Sequence, residues 1–166
     1  GRRAHPPKAG KDWSKKINKK ENKKAIRSAL SAVVQQDIVK ERGHLAPKNY
    51  PFIIDDSFES LSKTKEVKKA LESLGFKKEL KKSSKKTIRA GKGKSRGRKY
   101  RKKKGILIVV SKECSLSKAA RNIPGTDIVP INSINAELLA PGAVPGRLTL
   151  FTESAINKLE KEKMFM

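Results

Sequence analysis

Apolar residues recur along this chain in two rhythms, one helical and one extended. Between residues 20 and 41, Ile26, Leu30, Val33, Val34 and Ile38 fall on one face at steps of three and four. The spacing predicts one long amphipathic helix, with Gly43 placed for a left-handed C-terminal cap. The run Pro51-Phe52-Ile53-Ile54 ends in Asp55-Asp56, the pattern of a short buried strand with acidic residues at its carboxyl end. A second helix follows, capped by Ser62 or Thr64, striped by Val67, Ala70, Leu71 and Leu74, and ended by Gly75.

The run Ile106-Leu107-Ile108-Val109-Val110 is continuous and rich in β-branched residues, so it predicts a strand covered on both faces. Leu116, Ala119, Ala120 and Ile123 then predict a short helix stopped by Pro124-Gly125. Residues 127–131 read as a third strand, 135–139 as a helical turn and 148–151 as a fourth strand. Thr152 is placed to cap a last helix carrying Ala155, Ile156 and Leu159. Strands alternating with helices predict an α/β fold, a three-layer domain with a mostly parallel four-stranded sheet and right-handed crossovers.

Charge changes this picture. The chain of 166 residues carries 41 Lys and Arg against 16 Asp and Glu, a net charge of +25. Residues 1–27 hold 11 basic and 2 acidic side chains, and residues 77–104 hold 16 and 1. Residues 28–76 are balanced at 7 and 7, and residues 105–166 nearly so at 7 and 6. A near-neutral domain thus carries two extended basic arms. Such blocks repel themselves and recruit polyanions. Nucleic acid is the favoured partner over membrane, because the longest apolar run, residues 106–110, falls far short of the ~20 residues that span a bilayer. The resulting division is 1–19, an extended arm; 20–76, the first part of the domain; 77–104, a basic insertion; and 105–166, the second part.

Candidate chemistry is sparse. Gly91-Lys92-Gly93-Lys94-Ser95 resembles part of a phosphate loop, but Ile88 stands where the first glycine is required and Arg96-Gly97-Arg98 follows where a helix should begin. Asp55 and Asp56 could serve a metal-dependent enzyme; the simpler reading, favoured here, makes them caps, since no His, Cys or third carboxylate accompanies them. His44 is expected to pack or hydrogen-bond near its helix end, and the single cysteine, Cys114, to be inert. No catalytic residue, metal site, cofactor or small-molecule substrate is expected. Trp13 and Tyr100 are the only rings within the basic segments, so recognition should rest on phosphate and shape.

Several motifs in order carry a resemblance. They are Gly1-Arg2-Arg3-Ala4-His5-Pro6-Pro7, Asn18-Lys19-Lys20-Glu21-Asn22, Ala25-Ile26-Arg27-Ser28-Ala29-Leu30, Glu41-Arg42-Gly43-His44, Arg121-Asn122-Ile123-Pro124-Gly125 and Ala136-Glu137-Leu138-Leu139-Ala140-Pro141-Gly142. Together they resemble the universal large-subunit ribosomal protein L-four family across essentially the whole chain. The resemblance implies a globular α/β domain with a long loop that reaches into ribosomal RNA near the peptide exit tunnel. Residues 1–19 would be the returning limb of that loop, and the family's first strand and the outgoing limb should precede Gly1. The insertion at 77–104 resembles the archaeal and eukaryotic branches, and the end at Met166 favours the archaeal one.

The expected function is that of a structural constituent of the large ribosomal subunit in the cytoplasm, with large-subunit ribosomal RNA and neighbouring ribosomal proteins as partners. The residues expected to bind RNA are Arg2, Arg3, His5, Lys8, Lys11, Lys15 and Arg27 from the first arm. From the second they are Arg89, Lys92, Lys94, Arg96, Arg98, Lys99, Tyr100 and Arg101. A non-ribosomal basic nucleic-acid-binding protein is the alternative that charge alone allows.

Overall fold

The computed structural model describes residues 1–165. Its strands are β1 (Ile53–Ile54), β2 (Thr87–Ile88), β3 (Tyr100–Arg101), β4 (Leu107–Val110), β5 (Asp127–Pro130) and β6 (Thr149–Thr152). Its helices are α1 (Lys19–Val34), α2 (Gln36–Glu41), α3 (Thr64–Leu71), α4 (Lys77–Ser84), α5 (Ser115–Ala120), α6 (Ala136–Leu139) and α7 (Glu153–Lys161). Four strands form one sheet in the order β1-β6-β4-β5, every neighbouring pair parallel. β2 and β3 form a separate antiparallel hairpin.

Side-chain alternation along the central strands divides the core into two layers. Ile106, Ile108 and Val110 join Leu148 and Leu150 against Val67 and Leu71 of α3, Leu80 of α4 and Leu116 of α5. Leu107 and Val109 point to the opposite face, against Ile26, Ala29 and Val33 of α1, Leu139 of α6 and Ala155 of α7. Each fully buried aliphatic side chain here is worth about 1.5–3 kcal/mol. The α/β class, the parallel four-stranded sheet and the burial of residues 106–110 agree with expectation.

The long helix expected at 20–41 is instead two helices. Gln35 is extended (φ −82°, ψ 110°), and Val34 is 56% exposed rather than buried. The break has a tertiary cause. The Tyr50 hydroxyl donates to the Val33 carbonyl at 2.6 Å, taking the acceptor that a continuous helix would offer to the amide of residue 37. Burial pushes the Tyr50 phenol up to about 12, although a hydrogen bond with the Thr149 backbone works the other way. After the break the buried position moves from Ile38 to Val39. α2 then ends in paired bonds, Gly43 N–H to Lys40 O at 2.7 Å and His44 N–H to Val39 O at 3.1 Å, with Gly43 at φ +87°.

Two caps differ from expectation. Neither Ser62 nor Thr64 caps α3; Lys63 holds the N-cap position without a side-chain bond. Thr152 precedes α7 but gives its hydroxyl to Glu59 Oε1 at 2.7 Å. The Asp56 carboxylate, from a distant turn, accepts the Ser154 amide of α7 at 2.9 Å instead. β1 is an edge strand with Ile53 exposed, not a fully buried one.

Gly125 closes the turn between α5 and β5 at φ +78°, and its carbonyl accepts the Gly105 amide at 2.8 Å. A Cβ there would lie 2.7 Å from the Lys103 carbonyl oxygen and 2.9 Å from Ser83 Cβ. Gly125→Ala should therefore cost about 2–4 kcal/mol, combining left-handed strain with overpacking. Urea denaturation followed by circular dichroism measures this; an unchanged midpoint would mean that the turn relaxes freely.

Candidate nucleic-acid interface

Residues 1–18 contain no helix or strand and are exposed throughout. Arg2, Arg3, His5 and Lys8 line one shallow depression along this arm. Lys11 sets its ammonium 4.7 Å from the ring centroid of Trp13, which is 72% exposed. Ser14 donates to Asp12 at 2.8 Å, and its hydrogen bonds lower the Asp12 pKa. Lys15 continues the arm, and Arg27 stands on the exposed side of α1.

The insertion 77–104 contains two structures. Its first eight residues are α4, whose Leu80 and Ser83 are buried against the domain. Beyond it, β2 and β3 make a finger, with Thr87 opposite Arg101 and Ile88 opposite Tyr100. The Arg89 amide donates to Lys99 O at 2.8 Å and its guanidinium to Arg98 O at 3.2 Å. Lys92 and Lys94 lie in a tight turn near the tip, and Arg96 follows. The stretch Gly91-Lys92-Gly93-Lys94-Ser95 therefore belongs to a hairpin end, not to a loop that leads into a helix. The finger gathers the second set of candidate residues; the first set lies on the other arm and on α1.

Both roots of the finger are pinned by carboxylates. On the incoming side, buried Glu79 accepts His44 Nδ1 at 2.7 Å, the Leu45 amide at 2.9 Å and Lys82 Nζ at 3.1 Å. Burial would raise the Glu79 pKa, but these hydrogen bonds and the His44 charge outweigh it and hold the pKa below its ordinary value. On the returning side, Asp127 accepts Arg147 Nη2 at 2.5 Å and Lys104 Nζ at 3.0 Å. Burial again acts upward, and the bonds and charges of Arg147 and Lys104 again win, lowering the Asp127 pKa. Arg147 is wholly buried and also donates to Gly105 O at 3.1 Å and Leu138 O at 3.0 Å.

Of the sixteen cations in residues 77–104, Lys82 and Lys104 alone meet a carboxylate among the described residues. Lys78, Lys81, Lys85 and Lys103 line a shallow groove with Leu45 at the base of the finger. These four were not singled out from sequence. For Lys78, Lys81 and Lys85 the signal was available as steps of three and four around Leu80, the helical spacing of α4; Lys103 carries no such signal.

The carboxyl end of the sheet is occupied by its own side chains. Asp55 accepts the Ser57 amide at 3.0 Å, and Asp56 caps α7. Glu59 accepts the Ser111 amide at 3.1 Å, the Thr152 hydroxyl and the Ser154 hydroxyl. These carboxylates act as acceptors that tie strand ends to helix starts. Among the described residues, no three His, Cys, Asp or Glu side chains gather as a metal site.

The class in hand is an α/β domain that projects two strongly basic elements, an extended N-terminal segment and a hairpin finger. Comparison with known proteins narrows the class: residues 1–162 match the Ribosomal protein L4/L1 family, and the chain belongs to it. It is similar to the large ribosomal subunit protein uL4 of Methanococcoides burtonii, 51% identical over 96% of this chain and 64% of that relative. The uL4 of Nanoarchaeum equitans is 51% identical over 99% of this chain and 62% of its own length. For Haloquadratum walsbyi uL4 the values are 51%, 96% and 64%. The chain thus spans a little under two thirds of the length of these relatives. Two motifs behind the resemblance touch in space: Arg42 donates to Pro141 O at 2.7 Å and to Pro145 O at 3.2 Å.

Proposed function

We propose that this chain acts as a structural constituent of the large ribosomal subunit, binding and organising large-subunit ribosomal RNA. The observation that carries the reading is the finger, whose cations meet no carboxylate among the described residues while its roots are fixed to the core. Arg89, Lys92, Lys94, Arg96, Arg98, Lys99, Tyr100 and Arg101 supply the finger's contacts, and Arg2, Arg3, His5, Lys8, Lys11, Lys15 and Arg27 those of the first arm. Guanidinium and ammonium groups pair with phosphate oxygens, and each contact releases condensed counterions. RNA helices that repel one another can then pack around the arms. The near-neutral domain positions them and offers surface to neighbouring ribosomal proteins. The family supports a place for the extended loop near the peptide exit tunnel, in the cytoplasmic ribosome, and a role without catalysis.

The test excises the finger without disturbing its mounts. Thr87 and Arg101 face one another, so joining them through Asn-Gly makes a two-residue hairpin and removes residues 88–100. Six of the named cations leave with them. Binding to folded large-subunit RNA should weaken, and the slope of log K against log salt should shallow by about 3–5, at somewhat under one unit per lost phosphate contact. An unchanged slope would refute the role of the finger. Equal affinity for duplex DNA and ribosomal RNA would favour the non-ribosomal reading.

A further inference from the structure

We propose that Ile88 and Tyr100 form a stacking plate for one unpaired nucleobase, so that the finger engages a looped-out nucleotide as well as phosphates. The proposal rests on the RNA-binding reading above and deepens it. The register places Ile88 directly opposite Tyr100, so both side chains leave the same face of the two-stranded ribbon. Thr87 and Arg101 take the other face and satisfy one another there, Arg101 Nε donating to the Thr87 hydroxyl at 3.2 Å. Ile88 is 61% and Tyr100 53% exposed, which leaves an apolar pair uncovered on the most cationic element of the chain.

The charge around the plate selects its occupant. Lys86 and Lys99 hold their ammonium groups 5.8 and 5.7 Å from the Tyr100 ring centroid. An apolar protein surface would have to strip water from these lysines without pairing them. An acidic surface would pair them and leave the ring in water. A nucleotide satisfies both, with a flat π-face for the ring and phosphates for the lysines. Within a duplex that face is already stacked on its neighbours, so the base must be unpaired. An exposed ammonium–ring contact is weaker than a base–aromatic stack, so an incoming base displaces the lysines onto its flanking phosphates.

The test uses the whole chain and two RNA hairpins of equal length and charge. One is fully paired, and the other carries a single bulged 2-aminopurine. The parent protein should prefer the bulged RNA and quench its fluorescence on binding. Tyr100→Phe should keep both properties. Tyr100→Ile keeps strand propensity and the apolar contact to Ile88 but has no ring. It should bind the bulged RNA about tenfold more weakly, with the quench lost, while its affinity for the paired RNA falls much less. Equal weakening toward both RNAs would assign the pair to hairpin stability alone and overturn the plate. A parent that binds both RNAs equally would also overturn it while leaving RNA binding intact. A parent that binds neither would overturn the RNA-binding reading itself.

Discussion

Arg147→Met should cost the domain about 3–5 kcal/mol, the range seen when one partner of a buried charged pair is removed. The side chain has no exposed surface and joins three separate elements. Its Nε binds the Gly105 carbonyl ahead of β4, one terminal nitrogen binds the Leu138 carbonyl in α6, and the other binds Asp127 at the start of β5. Methionine fills similar volume and satisfies none of these acceptors, each of which then pays its desolvation. Arg147→Lys should recover only part of the loss, because an ammonium cannot span three divergent acceptors as a planar fork does. Chemical denaturation measures both variants. A loss below about 1 kcal/mol for the methionine variant would mean that water replaces the guanidinium, against the reading of Arg147 as the bolt of this corner.

Glu79→Leu should destabilise by a similar amount, about 3–5 kcal/mol, for the mirror-image reason that buried donors lose their anionic acceptor. His44 and the Leu45 amide are the costly orphans, since Lys82 can turn to solvent. The same carboxylate gives the parent protein a pH dependence. The folded pKa of Glu79 lies below its ordinary value of 4.5, and that of Asp127 below 3.8. In the window between the folded and unfolded values the unfolded chain binds more protons, so stability rises with pH there. The contribution is complete above the unfolded values and is lost as pH falls through the folded ones. Denaturation midpoints of the parent should therefore drop on acidification below about pH 5, and the Glu79→Leu profile should be shallower across that range. Parallel profiles would show that Glu79 is not a source of the acid sensitivity.

Much of the domain was legible because its elements are decided by local pattern. The run at 106–110 could only be a strand covered on both sides, and Pro124-Gly125 could only stop a helix. The charge partition marked two basic segments, although the first eight residues of the second form α4 and pack on the domain. Sequence was silent where a distant partner decides the local outcome. No residue near Gln35 announces a helix break, since its cause is the Tyr50 hydroxyl arriving from the next segment. Thr152 and Asp56 exchanged roles in the same way, the threonine drawn off by Glu59 and the aspartate reaching in from beside β1. In the interface, cation identity was plain, but the arrangement was not. The pairing of Ile88 with Tyr100 depends on hairpin register, and the tight turn of Lys92–Lys94 hides that register from a simple count.

The two pinned roots give the finger the mechanics of a cantilever. Each mount is a carboxylate gripped by one buried side chain and one lysine of the insertion, His44 with Lys82 and Arg147 with Lys104. Clamps at both roots shorten the span left free to swing, and a shorter free span has less entropy to lose on being ordered. Both clamps loosen in the same direction on acidification, because both depend on ionised carboxylates. The precision with which the finger is aimed is thus set by two acids in an otherwise basic chain.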